Sequence, residues 1–201
     1  MNTKQKILEA ATYTFGHYPN STIDDVAKQA GCSRITVIRN FTNKEGLLQA
    51  TCDYCVRRFD DVLSRAQSLG DDKSSDNLKG DTPPMRAIER IEFLMRGFAQ
   101  HGNHYMFILR SPKTSDKNDA ALRSQWRKVE ALVIEAQSNG DLRADLPSAW
   151  LAGLIDQFAM GIHAAKHHGN VAERDLIDHA WDTFLNGSGA AKKTLSKGIK
   201  G

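Results

Sequence analysis

Apolar side chains recur along this chain at spacings of three and four residues, and no run of five or more alternates as a strand would. Ile7, Leu8, Ala11 and Phe15 share one face of a first helix predicted over 4–15. A turn at 16–20, containing Pro19, leads to Ser21 or Thr22, either of which can cap a short second helix with Asp24 and Asp25 in its first turn. Gly31 is a natural left-handed stop for that helix. Ser33 caps a third helix ending near Phe41, and Asn43 caps a long fourth, from Lys44 to about Leu69. Beyond a polar stretch at 70–82, read as mobile, Pro83-Pro84 restarts a helix from Met85 to about Gln100. Helices around 103–109 (ended by Pro112) and 119–138 follow, then one that Ser148 caps and that runs to His168, and a last one over 171–185. The fold class is therefore all-α.

Charge matters only once it is split along the chain. The total of +3 says little about nucleic acid. Residues 1–50 carry net +2, residues 51–186 net −3, and residues 187–201 net +4 through Lys192, Lys193, Lys197 and Lys200. The expected division is a head over 1–48, a helical body over 49–186 and a basic, disordered tail over 187–201. Three cysteines in 201 residues exclude a disulfide-stapled fold. Apolar stretches reach only about six residues, so no membrane span is expected. The N-terminus lacks an apolar signal core, which makes the cytoplasm the expected compartment.

The most informative stretch is 21–48. Two short helices flank Ala30-Gly31-Cys32-Ser33, a four-residue turn with a glycine and a serine cap, which is the helix-turn-helix pattern. Val26, Ala27 and Ala30 pack the first helix inward, and Val37 and Phe41 the second. Arg34, Thr36, Arg39 and Asn40 are left facing outward. Arg can pair with guanine, Asn with adenine, and Thr can touch a thymine methyl, so this face can read a major groove.

The run T-I-D-D-V-A-K-Q-A-G-C-S-R-I-T-V-I-R-N-F-T-N-K-E-G-L-L, from Thr22 to Leu48, resembles the N-terminal domain of TetR-family transcriptional regulators. Ile7 to Ala11 and Phe15 fit that family's first helix, so the likeness covers about residues 4–50. It implies a homodimer on a pseudo-palindromic, double-stranded operator, most simply a repressor released by a small-molecule effector. By position, Thr22 and Lys44 would touch phosphates at helix N-termini, and Arg34 and Thr36 would read bases. Arg39 and Asn40 would stand at the backbone or groove edge. Two residues depart from the pattern. Ile35 replaces a usual small residue, and Ile38 replaces a usual aromatic, often Tyr. Ile38 lacks the phosphate-bonding hydroxyl but can lie against a thymine methyl. The turn between Phe15 and Ile23 is also about two residues shorter than usual. These departures keep open a second reading: a helical small-molecule sensor with weakened DNA binding.

In the body, Trp150, Leu151, Leu154, Ile155, Phe158 and Ile162 give the helix over 148–168 a wide apolar surface, and Leu176, Trp181 and Phe184 do the same for 171–185. The resemblance implies that these two helices form the dimer interface. It also implies a ligand cavity among the helices of 85–165. Phe93, Phe98, Tyr105, Phe107, Trp126, Phe158 and His163 are candidate lining residues, with Asp156 as a polar anchor. Cys52 and Cys55 form a C-x-x-C inside a helix, where a core role is the simpler reading. His163 and His167 have ligand spacing, as His101 and His104 nearly do, but no third ligand can be assigned. No hydrolase elbow, Walker loop or dinucleotide fingerprint occurs, so no catalytic residue, metal or cofactor is expected.

Overall fold

The computed structural model describes residues 1–71, 83–110, 115–169 and 172–189. Those residues form nine helices: α1 Thr3–His17, α2 Ile23–Ala30, α3 Arg34–Phe41, α4 Lys44–Ser68, α5 Ala87–Gln100, α6 Gly102–Arg110, α7 Asp116–Ser138, α8 Ser148–His168 and α9 Glu173–Ser188. Most of the expected linker at 70–82, Pro112, and the lysines of the expected tail lie outside the described residues.

Local chemistry sets the short helices of the head. Asn2 and Gln5 close a capping box on α1, and Thr22 and Asp25 close another on α2. Ser33 accepts from the Thr36 amide on α3, and Asn43 accepts from the Gly46 amide on α4. Gly31 stops α2 at φ 65°, a conformation that costs a glycine little. Thr42, between α3 and α4, has φ 67° without being glycine, and its amide donates to the Ile38 carbonyl at 2.8 Å.

At four places a specific contact moves a cap or a helix end from the sequence expectation. Ser148 does not cap α8: Pro147 holds that position, and the Ser148 hydroxyl donates to Glu130 Oε1 at 2.7 Å. Helix α7 starts at Asp116, three residues before the expected start, because Ser115 caps it and accepts from the Asn118 amide. Helix α5 begins at Ala87, since the Met85 amide donates back to the Leu69 carbonyl. Helix α9 runs on to Ser188, where the Arg143 amide binds the Ser188 carbonyl and Leu142 bridges Gly189.

Two apolar clusters divide the packing. The first gathers Ile7, Leu8, Phe15, Val26, Val37, Phe41 and Leu47, and reaches along α4 to Cys52, Cys55 and Val56. It also takes in Phe107 from α6. The second runs from Phe59 on α4 through α5, α7 and α8 to Phe184 on α9. Helix α4 thus crosses both clusters, while α6 sends one residue into the first and lays others against the second.

Candidate nucleic-acid interface and ligand cavity

Helix α3 is eight residues long, and the burial of Val37 and Phe41 fixes its rotation. That turns Arg34, Ile35, Ile38, Arg39 and Asn40 to solvent and leaves Thr36 half-buried. Ile35 is 62% exposed and Ile38 37% exposed, three residues apart on one outer face. The polar members are held by short bonds. Arg34 Nη1 donates to Asp24 Oδ2 at 2.8 Å, the Asn40 amide donates to the Thr36 carbonyl at 2.8 Å, and the Thr36 and Ser33 hydroxyls share a 2.9 Å bond.

Thr22 is exposed at the start of α2, with its hydroxyl donating to Asp25 Oδ2 at 2.8 Å. The Thr22 amide and hydroxyl, helped by Lys28 and Lys44, hold the Asp25 carboxyl below its usual range. Lys44 opens α4 with its ammonium 5.5 Å from the centroid of the Phe15 ring. Lys4 stands likewise over Phe41, at 5.7 Å.

A cavity of about 200 Å³ opens in the body. Phe59 and Leu63 from α4, Phe98 from α5, Tyr105, Ile108 and Leu109 from α6, four residues of α7 including Gln125 and Trp126, and Asp156 from α8 line it. Of the lining candidates that the sequence offers, Phe98, Tyr105, Trp126 and Asp156 stand in this wall. The other four candidates stand elsewhere. Phe93 packs on the body core, Phe107 belongs to the head cluster, Phe158 meets Phe184 edge-on at 6.0 Å, and His163 lies against Gly102. An aromatic stripe reports that a helix face is buried, not which neighbour buries it, so periodicity could not separate these groups. The Tyr105 hydroxyl donates to Asp156 Oδ2 at 3.0 Å. Burial pushes the Asp156 carboxyl up to about 6 despite that bond, and pushes the Tyr105 phenol up as well.

Helix α6 joins the cavity to the head. On its other side Arg110 donates to the Gly16 carbonyl at 3.1 Å, and Asn103 Oδ1 meets His17 Nε2 at 3.0 Å. A side chain at Gly16 would stand 3.1 Å from the Phe107 amide, so the glycine lets α1 and α6 approach closely. Near the middle of α1, Glu9 accepts the Tyr54 hydroxyl at 2.6 Å, with Arg58 beside it. His104 Nε2 stands 3.4 Å from the other Glu9 oxygen, an electrostatic contact more than an aligned hydrogen bond. The His104 ring, seconded by Tyr54 and Arg58, outweighs desolvation and holds Glu9 at about 2.

The remaining sequence motifs resolve simply. Cys52 and Cys55 are buried, and desolvation raises both thiols, Cys55 to about 12, which disfavours thiolate chemistry. Desolvation lowers His101, which lies 5.0 Å edge-on from His104. Among the described residues, no group of three or more His, Cys, Asp or Glu could hold a metal ion; the His167 side chain lies outside that description. No described helix is long and apolar enough to cross a membrane.

A capped helix-turn-helix on an all-helical body defines a DNA-binding transcriptional regulator. Residues 7–51 match the family model for bacterial regulatory proteins of the tetR family. It is 26% identical to the HTH-type transcriptional regulator EthR of Mycolicibacterium smegmatis, across 92% of this chain and 84% of that one. Its fold matches LfrR of Mycobacterium smegmatis, solved with proflavine, at a TM-score of 0.65 and 17% identity over 92% of this chain and 95% of that one. It also matches AibR, solved with isovaleryl coenzyme A and operator DNA, at 0.68 and 19% identity over 90% and 97%. Regulators of this family are generally not enzymes.

Proposed function

We propose that the chain is a repressor that binds a pseudo-palindromic operator as a homodimer and is released by a small molecule in the α4–α8 cavity. The observation that carries the DNA reading is α3, whose inner face is core and whose outer face exposes Arg34, Ile35, Ile38 and Arg39. Arg34 and Thr36 read base edges, and Ile35 and Ile38 lie on thymine methyls. Thr22 and Lys44 hold phosphates at two helix N-termini, and Arg39 and Asn40 stand at the groove edge. The Arg34–Asp24 pair does not forbid this role. Both partners are 58% exposed, so breaking the pair costs about 0–1 kcal/mol, less than the ~1–3 kcal/mol of an Arg–guanine contact. The two exposed isoleucines favour retained DNA binding over a sensor that has lost it.

Phe98, Tyr105, Trp126 and Asp156 are the proposed ligand contacts, within a head taken as 1–48 and a body as 49–186. Helix α6 is the proposed transmitter. Tyr105, Ile108 and Leu109 feel the occupant, while Phe107, Arg110 and Asn103 hold α1. An occupant that prefers one setting of α6 biases the head by its differential affinity for the two settings. LfrR with proflavine and AibR with an acyl coenzyme A and operator support a ligand-gated reading. For the dimer, Leu154, Phe158, Gly161, Ala165 and Ala180 line an apolar groove between α8 and α9, and Trp150 on α8 is 61% exposed. A second copy packed on α8 and α9 would cover that groove.

Gel shift on the DNA upstream of the protein's own gene tests the reading. Wild type should bind one site at nanomolar affinity, with log K falling steeply against log salt. Arg34→Ala should lose about tenfold to a hundredfold there and relax the preference at one base pair. Lys44→Ala should weaken all duplexes alike and flatten the salt slope by about 1. Equal binding of operator and random DNA by wild type would overturn the proposal.

A further inference from the structure

The cavity wall carries a carboxylate, Asp156, and two further groups that can accept, the Tyr105 oxygen and the Gln125 carboxamide oxygen. Tyr105 spends its one hydroxyl proton on Asp156 Oδ2. One Gln125 amide hydrogen goes to the Val56 carbonyl at 2.9 Å, which leaves the second N–H as a donor and the oxygen as an acceptor. The Asp156 carboxylate has room for about four hydrogen bonds, and among the described residues the Tyr105 hydroxyl is the one group that bonds it. Among the described residues, no cation lines the wall. Tyr105 from α6 is the other titratable group there; α4, α5 and α7 contribute apolar side chains and the neutral Gln125. A half-buried carboxylate in an aromatic wall with no cation beside it is costly, so the site is incomplete as the chain builds it.

The rest of the wall is aromatic. Phe59 meets Phe98 edge-on at 5.8 Å and Tyr105 edge-on at 5.9 Å, and Trp126 completes the wall from α7. Ring faces attract cations and stack with flat apolar bodies. With about 200 Å³, the space suits one or two fused rings. Resting on the reading of this cavity as the effector site, we propose that its occupant is a small aromatic ammonium whose N–H groups donate to Asp156 and Gln125 while its ring lies among Phe59, Phe98, Tyr105 and Trp126. A neutral or anionic molecule of the same shape leaves the carboxylate unpaired or repels it. The raised Asp156 carboxyl agrees, because a cation beside it would draw its titration back down.

Isothermal titration of three near-isosteric probes, 2-naphthylmethylammonium, 2-naphthylmethanol and 2-naphthoate, tests this. The ammonium should bind wild type at least about tenfold tighter than the alcohol, and the carboxylate should bind weakest. Between pH 7 and pH 5 the ammonium should lose about tenfold as Asp156 takes up a proton, while the alcohol should not change. Asp156→Asn should erase the preference for the ammonium. Tyr105→Phe, which keeps the carboxylate, should preserve it and guards against a misfolded Asp156 variant. Leu122 stands on the α7 wall of the cavity, and Leu122→Trp, which fills the space, should abolish binding of all three. If the alcohol binds as tightly as the ammonium and Leu122→Trp blocks both, the cation assignment falls and the cavity reading stands. If no probe binds, or Leu122→Trp changes nothing, both fall.

Discussion

The outer face of α3 and the cavity of the body are both candidate binding sites, yet they are built in opposite ways. The α3 face comes from one eight-residue segment, fixed by local caps at Thr22, Ser33 and Asn43, and its side chains are largely exposed. The cavity takes residues from Phe59 to Asp156 on five helices, and exists only because those helices cross at particular heights and angles. A local site survives small shifts of the rest of the chain. A cavity of about 200 Å³ does not, and that fragility is what can make its occupancy felt elsewhere.

Phe107 is where the two regions can be pulled apart most sharply. It is 1% exposed and belongs to the head cluster, although Tyr105, Ile108 and Leu109 of the same helix line the cavity. Phe107→Ala should cost about 3–5 kcal/mol through the void it leaves between α1 and α6. Urea unfolding reads that cost as a lower midpoint. Trp126→Ala, at a half-buried wall of the cavity, should cost less stability and lose more affinity for 2-naphthylmethylammonium. The opposite pattern would mean that Phe107 is a ligand wall and Trp126 a structural joint.

That contrast also explains what could be read beforehand. Gly31, Ser33, Thr22, Asn43 and the Val37–Phe41 pair act within a few residues, so the helix-turn-helix and its outward face were legible in order. The body was legible as helices, but Phe98, Phe107 and Phe158 look alike in a periodic pattern, and only packing sends them to the cavity, the head and the α8–α9 groove. Leu63, Ile108 and Leu109 gave no signal at all, because an aliphatic residue on a helix face is the default occupant of any core. The Glu9–Tyr54–His104 contact joins residues 45 and more positions apart, and nothing local marks Glu9 as other than a surface acid.

Glu9 gives the next test, at the joint itself. Its folded value of about 2 lies below the ordinary 4.5, so its stabilisation is present above about 4.5 and is lost as pH falls towards 2. The side chain is 35% exposed, and solvent screening trims the effect to about 1–2 kcal/mol. Glu9→Gln should therefore be less stable than wild type by that amount at pH 7, and the gap should narrow steadily below about pH 4.5 in urea titrations. A gap that stays constant down to pH 2.5 would remove the electrostatic account of how α1, α4 and α6 are held.

The smallest effect falls on the exposed side of the comparison. Asp24 ties up Arg34 in a pair with both partners 58% exposed, and places a negative charge beside the face proposed to meet DNA. Asp24→Ala should leave unfolding within about 0.5 kcal/mol of wild type, as surface changes usually do. It should tighten operator binding by no more than about fivefold, because the pair that must break before Arg34 reaches a base is worth about 0–1 kcal/mol. The gain should shrink at high salt, where such charges are screened. Gel shift at low and high salt separates this from the alternative in which Asp24 pre-orients Arg34 for its base. There the variant binds more weakly, and the loss is confined to the sequence that wild type prefers.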